Sequence, residues 1–236
     1  RNKHVPPYEC ADVPDEGYPD GLTANLAVKK LRALSKGEKP FCLAVGFFKP
    51  HLPFTAPRKY WDLYDENAIP LSPVPNIPEG ICRYALHNSG EFNGYLEGDE
   101  RASLDKSVSE VYARKLRHAY FACISYIDAQ VGKIIDELER LGEADNTIIV
   151  VWGDHGWHLG DQRVWGKHTL METSLRSTLI MKVPHSSKSI ENHRIVSSID
   201  IYPTLMELCG VSVPDGLDGN SFTKLLADPK ERSWHE

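Results

Sequence analysis

Asp154 and His155 stand side by side just past the apolar run "TIIVVW", and Lys167 follows in the Gly- and Trp-punctuated loop that closes with "WGKHT". A carboxylate and a neutral imidazole can both ligate a divalent cation. Carboxylate-rich sites suit hard calcium or magnesium, and added imidazole tilts the choice towards zinc or manganese. A lysine is a compact point charge for a sulfate or phosphate oxygen. His51 lies in "KPHLPF", just past a second apolar run, where Pro50, Pro53 and Pro57 forbid a regular ladder or helix. A histidine held in such a stiff loop can neutralise charge or protonate a leaving oxygen. These residue types suit an anionic ester held on a metal. Taken singly they say less. An Asp-His pair after a strand serves equally to cap the next turn, a lone loop histidine is more often structural, and a lone lysine is more often solvated. The functional reading depends on His51, Asp154, His155 and Lys167 meeting. His158 and His168 are expected on the rim of the same pocket.

The elements that must position these residues follow from periodicity. Thr23 can cap a helix through about Ser35, with Leu26, Leu31 and Leu34 on one face. "PFCLAVGFF", residues 40–48, is a continuous apolar run, as expected of a strand covered on both faces. Residues 1–20 read as loop, and residues 62–105 as a long irregular segment containing "ALHNSGEFNGY", of a length that is often functional. Ser107-Val108-Ser109-Glu110 matches a capping box. Behind it Tyr112, Leu116, Tyr120, Cys123, Ile127, Val131, Ile134, Leu138 and Leu141 recur at helical spacing up to Gly142. "TIIVVW" and "STLIMKVP" read as further buried strands, and residues 197–210 as a capped amphipathic helix. This alternation predicts an α/β sandwich with a mostly parallel central sheet flanked by helices. Sites in open α/β sheets form outside the carboxyl ends of the strands. If the strands at 41–48 and 147–152 run the same way, the four residues converge on one edge.

Composition narrows the classes. The net charge of −6 gives no electrostatic case for nucleic acid, and no apolar run reaches the length of a membrane helix. "RNKHVPPYEC" lacks the apolar core of a signal peptide, and a start at Arg1 favours removal of an N-terminal segment. None of the five cysteines forms a C-x-x-C pair. Cys42, Cys123 and Cys209 are expected as buried free thiols, whereas Cys10 and Cys82 lie in polar loops and could pair.

With these residues in place, the chain resembles the sulfatase family of the alkaline-phosphatase superfamily, closest to its iduronate-2-sulfatase branch and bacterial relatives. The matching stretches are "FCLAVGFFKPHLPF", "LRHAYFACISYIDAQVGKIIDELERLG", "ADNTIIVVWGDHGWHLGD" with "WGKHT", and "IVSSIDIYPTLMELCGV" with "LDGNSF". The resemblance implies hydrolysis of sulfate esters on a sulfated sugar or polysaccharide such as a glycosaminoglycan. It implies Asp154 and His155 as ligands of one calcium ion, and His51 and Lys167 as contacts to the sulfate. It also implies a formylglycine nucleophile. That residue arises from C-x-P-x-R or S-x-P-x-R, and no cysteine or serine here begins either pattern. The family's paired calcium-site aspartates and a second active-site lysine are missing as well. The chain is therefore expected to be the middle-to-C-terminal portion of a sulfatase, inactive without its N-terminal segment. Residues 1–185 would form part of the catalytic α/β domain, and residues 186–236 a C-terminal helix and tail packed on it. A secreted, periplasmic or lysosomal location is implied too. The rivals are a phosphatase or phosphodiesterase of the same superfamily and a non-catalytic chain that needs a partner segment.

Overall fold

The structure is a computed structural model that describes residues 5–95, 97–186 and 189–234. The first four residues of the expected N-terminal loop, and residues 187–188 and 235–236 of the expected C-terminal stretch, lie outside the described residues. Two units divide the chain, Arg1–Pro184 and His185–Glu236. In the first, the elements run β1 (Tyr8–Ala11), α1 (Pro19–Leu34), β2 (Phe54–Pro57), α2 (Arg58–Trp61), α3 (Glu110–Arg140), β3 (Ile149–Trp152), β4 (His158–Leu159), β5 (Trp165–Gly166), α4 (Glu172–Leu175) and β6 (Leu179–Lys182). The second carries α5 (Ile201–Leu208) and α6 (Thr223–Ala227).

Helix α3 is the spine of the first unit. Its cap is Ser109, two residues later than the capping box predicts. The Ser109 hydroxyl accepts from the Tyr112 amide at 3.2 Å, while its amide donates to Glu100 at 3.2 Å. The helix ends as expected: Gly142 takes φ +74°, and the Glu143 amide closes on the Leu138 carbonyl at 3.0 Å. Of the predicted stripe, Tyr112, Leu116, Cys123 and Leu138 are buried, whereas Tyr120, Ile127 and Val131 are half-buried. Ala119, Ala122, Tyr126 and Gln130 are buried beside them. Apolarity alone locates only part of this face because its centre is polar. Gln130 lies inside by donating to Asp15 at 3.2 Å, to Tyr60 at 3.4 Å and to the Tyr126 carbonyl at 3.1 Å. Asp15 also accepts from Lys133 at 2.6 Å and Lys59 at 2.7 Å. Burial pushes the Asp15 carboxyl up, but the hydrogen bonds from Lys133, Lys59, Tyr60 and Gln130 outweigh it and hold the group well below the usual carboxylate range.

Helix α1 starts at Pro19, in the first helical turn, rather than at Thr23. Its buried side is Gly21, Ala24, Ala27 and Leu31; Leu26 is exposed. Small residues let α1 lie close to its neighbours. A Cβ on Gly21 would stand 2.1 Å from the Asp15 carbonyl oxygen. The Tyr126 hydroxyl accepts from the Gly21 amide at 2.6 Å and donates to the Asp15 carbonyl at 2.8 Å, locking the start of α1 to α3. Around α3, the core gathers Leu52, Phe54, Ala56, Tyr60, Trp61, Phe92, Trp157 and Trp165. Full burial of a side chain such as Phe54 contributes about 1.5–3 kcal/mol.

The strands depart from expectation. Residues 40–48 form no ladder; they alternate between half-buried and exposed, and leave Phe48 exposed. An apolar run becomes a strand only when neighbouring backbone offers partners; Phe41 and Leu43 pack instead with Leu31, Leu138 and Ile149 through their side chains, with no ladder formed. Residues 8–11, read as loop, form β1 and pair in parallel with β2, Tyr8 opposite Phe54. Strand β3 pairs antiparallel with β6, Ile149 opposite Lys182, and is half-buried rather than covered on both faces. Strand β4 pairs antiparallel with β5. Among the described residues the parallel sheet is therefore partial. Segment 62–105 is irregular as expected, with short 3-10 turns at Glu66–Ala68, Arg83–Ala85 and Phe92–Gly94.

In the second unit Ser197 and Asp200 form a reciprocal capping box ahead of α5, and Gly210 ends that helix at φ +66°. All five cysteines are free, so Cys10 and Cys82 are not bridged; Cys42 and Cys209 are exposed rather than buried. Only the expectation for Cys123 holds: it is buried, and burial pushes its thiol up to about 12. No described helix is long and apolar enough to cross a membrane.

Tyr126→Phe leaves the Gly21 amide and the Asp15 carbonyl without their buried partner. It is expected to lower unfolding free energy by about 1–3 kcal/mol, read as a lower urea midpoint. An unchanged midpoint would contradict the lock.

Candidate active site

The loop carrying His51 is tied down from three sides. Asp20, buried in the first turn of α1, accepts the Phe48 amide at 2.7 Å and the Lys49 amide at 2.9 Å. Lys49 folds back and donates to the His51 carbonyl at 2.7 Å and the Pro53 carbonyl at 2.6 Å. Burial pushes the Lys49 ammonium down. Lys49-Pro50 and Leu52-Pro53 are both cis. The His51 ring is fixed in turn by its Nδ1, 2.7 Å from the Leu52 carbonyl. A carbonyl cannot donate, so Nδ1 carries the proton and Nε2 is the nitrogen that looks outward.

Lys167 meets that nitrogen from 116 residues away: its Nζ lies 3.1 Å from His51 Nε2. Its ammonium also stands 5.3 Å above the Trp157 ring, and the Trp157 and His51 rings are 6.3 Å apart. Glu91 completes the cluster, with Oε1 3.1 Å from His51 Nε2 and 3.3 Å from Lys167 Nζ. Lys167 is 16% exposed, so its charge faces little water.

Asp154 and His155 form a separate pair. The Asp154 side chain accepts the His155 amide at 3.0 Å, which is the turn-capping role allowed for it. His155 Nδ1 lies 2.8 Å from the Gly156 carbonyl, so it carries the proton. The lone pair on Nε2 then faces Asp154 Oδ2 across 3.5 Å. A carboxylate that is 78% exposed and an imidazole nitrogen this close are donor types that can share one hard cation. Among the described residues no third carboxylate, thiol or imidazole joins them. Two donors fill a minority of the six to eight positions around calcium, so the pair fits part of a metal site. No hydrogen bond or ion pair links it to His51 or Lys167 among the described residues; Trp157, two residues on, is the nearest link in sequence. Gly156 is required there, because a Cβ would stand 2.1 Å from the Thr173 carbonyl oxygen.

His158 is not on a rim. It is fully buried, with Nε2 2.8 Å from the Thr169 hydroxyl and Nδ1 3.3 Å from the Asp161 carbonyl. Burial pushes it below the usual histidine range, so it is a neutral packing residue beneath the loop. His168 is exposed, its ring 5.9 Å from that of His87. The sequence points to Lys49 through its place beside His51, but not to Asp20, Trp157 or Glu91. Asp20 and Glu91 act across 28 and 76 residues, and no local spacing announces them.

A protein-family model described as Sulfatase matches residues 2–211. The chain belongs to the sulfatase family. It is 30% identical over 241 residues to iduronate 2-sulfatase of Mus musculus, covering 88% of this chain and 43% of that protein. It is 32% identical over 213 residues to choline-sulfatase of Rhizobium meliloti, covering 87% of this chain and 39% of that one. The chain thus spans less than half the length of these curated relatives. Its fold is alkaline-phosphatase-like. A phosphonate monoester hydrolase from Silicibacter pomeroyi superposes with a TM-score of 0.78 at 24% identity, over 99% of this chain and 48% of that chain. A protein solved with its substrate D-glucosamine-2-N,6-O-disulfate superposes with a TM-score of 0.73 at 22% identity, over 93% of this chain and 54% of that chain.

Asp20→Ala is expected to speed amide exchange at Phe48 and Lys49 at least about tenfold and to slow turnover by the complete protein about a hundredfold, the cost of a small misplacement of His51. Exchange at the wild-type rate would show that Asp20 does not hold the loop.

Proposed function

We propose that the complete sulfatase containing this chain hydrolyses sulfate esters of a sulfated sugar, and that this chain supplies part of its active site. The observation that carries the reading is the meeting of Lys167 and His51 at 3.1 Å, a cation and an imidazole on a rigid loop. Lys167 has three N–H donors. His51 takes one, Glu91 takes another, and the third can reach an ester oxygen. His51 Nε2 faces the same space, and in the tautomer shown it accepts from Lys167. When that nitrogen carries a proton in place of this bond, it can pass the proton to the leaving oxygen while Lys167 stabilises the charge developing on the sulfate. Asp154 and His155 would hold a calcium ion together with ligands from outside these 236 residues. When bound, calcium supplies fixed positive charge for the sulfate oxygens, and a formylglycine from the same outside segment supplies the attacking oxygen. The names of the relatives support a sulfated carbohydrate as substrate: iduronate 2-sulfatase among the curated proteins, and the structure holding glucosamine disulfate.

In the complete protein, His51→Ala and Lys167→Ala are each expected to lower kcat/KM for a sulfate ester by about 10²–10⁴-fold with folding intact. Near-normal rates would refute the assignment. Chelation should abolish turnover and calcium should restore it. Two tightly held zinc or manganese ions per chain, with phosphodiester or phosphonate turnover above sulfate-ester turnover, would place the protein on the phosphoesterase side of the superfamily instead.

A further inference from the structure

The segment "ALHNSGEFNGY" brings Glu91 to the Lys167–His51 pair on a backbone tied at both sides. Asn93 donates to the Ala102 carbonyl at 2.8 Å and accepts its amide at 3.0 Å. Asn88 accepts the Leu104 amide at 2.9 Å, and the Ser89 hydroxyl accepts the Trp165 amide at 2.9 Å. Phe92, next to Glu91, stacks on Trp165 with ring centroids 5.6 Å apart.

Both carboxylate oxygens of Glu91 lie on the Lys167 ammonium, Oε1 at 3.3 Å and Oε2 at 3.2 Å. Oε1 also stands 3.1 Å from His51 Nε2. Among the described residues no other carboxylate comes within ion-pair distance of either group. Trp157 meets them with its ring, and the Lys49 ammonium is spent on the His51 and Pro53 carbonyls. One negative charge therefore serves two groups that the proposed reaction needs charged together. In the tautomer shown, Nε2 accepts from Lys167. Once Nε2 carries a proton, an imidazolium stands beside an ammonium, and two unit charges that close repel strongly. A carboxylate touching both offsets one of the two charges. Its pair of oxygens also keeps the ammonium in place after Nε2 has ceased to accept from it.

We infer that Glu91 is a positioning residue for leaving-group protonation: it holds Lys167 on its carboxylate and lets His51 Nε2 carry the proton that the leaving oxygen takes. This rests on the sulfate-ester reading above. As the sulfur–oxygen bond breaks, its electron pair stays on the leaving oxygen and takes the Nε2 proton. His51 returns to the neutral tautomer, and its ring, 40% exposed, regains a proton from water. Glu91 acts through His51 and Lys167, not on the substrate.

The test uses the complete protein and two sulfate esters that carry the same ring. 4-Nitrophenyl sulfate releases a phenolate that needs no proton, whereas 2-(4-nitrophenyl)ethyl sulfate releases an alkoxide that does. kcat/KM is measured on both for wild type, Glu91→Gln and Glu91→Asp. Glu91→Gln keeps the shape and removes the charge. It is expected to slow the alkyl ester at least about tenfold more than the aryl ester, a part of the roughly 10²–10⁴-fold that proton transfer supplies. Glu91→Asp, which keeps the charge on a shorter arm, should show a smaller difference of the same sign. The ratio of the two rates within one variant does not depend on how much of it is folded. If Glu91→Gln slows both esters by one common factor, or neither, Glu91 only supports the loop and the inference is overturned, with the sulfatase reading intact. Wild-type release from the aryl ester alone would show that no leaving oxygen is protonated, and overturns it equally. If wild type releases sulfate from neither ester, the sulfatase reading falls and this inference with it.

Discussion

Everything proposed for this chain depends on two backbone amides held by one buried carboxylate. Asp20 takes the Phe48 and Lys49 amides in the first turn of α1, where a negative group is also favoured by the helix dipole. That grip orients the chain so that Lys49 can turn inward and fasten the His51 and Pro53 carbonyls. His51 then points at a lysine from the far side of the unit. A surface loop of this composition has no ladder to fix it. Buried side-chain hydrogen bonds supply the rigidity instead, and a site built this way presents its imidazole in one orientation and one tautomer.

The same device recurs around α3. Arg117 is buried by donating to the Pro70 and Leu159 carbonyls, and His118 by bonding to the Trp61 carbonyl at 2.9 Å and Glu66 at 3.1 Å. Each ties a piece of the irregular 62–105 segment, or the β4 loop, to the helix. Burial pushes Arg117 below its ordinary range, which is the cost of placing a guanidinium among carbonyls. The long loop is thus shaped by polar pegs on a rigid helix, and that shaping is what lets it present Glu91 at the site.

Legibility followed the range of the interactions. Local signals were readable: the long helix and its Gly142 stop, the capped helix that follows Ser197, and the strand at 149–152. His51 was readable because three prolines mark its loop. What failed was long-range. The run at 40–48 has strand composition, yet pairing is decided by backbone partners; its side chains pack on α1, α3 and β3, but it joins no ladder among the described residues. The small-residue face of α1 was hidden behind the more apolar Leu26, because close approach selects Gly and Ala over leucine. The polar centre of α3 was hidden because Gln130 is buried by partners distant in sequence. Expected convergence was met by His51 and Lys167, while Asp154 and His155 formed their own pair.

The central claim is that His51 and Lys167 act as one unit on one anion. A double-mutant cycle on the complete protein tests it most directly, comparing kcat/KM for a sulfate ester in wild type, His51→Ala, Lys167→Ala and the double variant. Groups acting as a unit are strongly non-additive, so the double variant should be scarcely slower than the worse single variant. If the two losses multiply, His51 and Lys167 act independently and the claim is wrong.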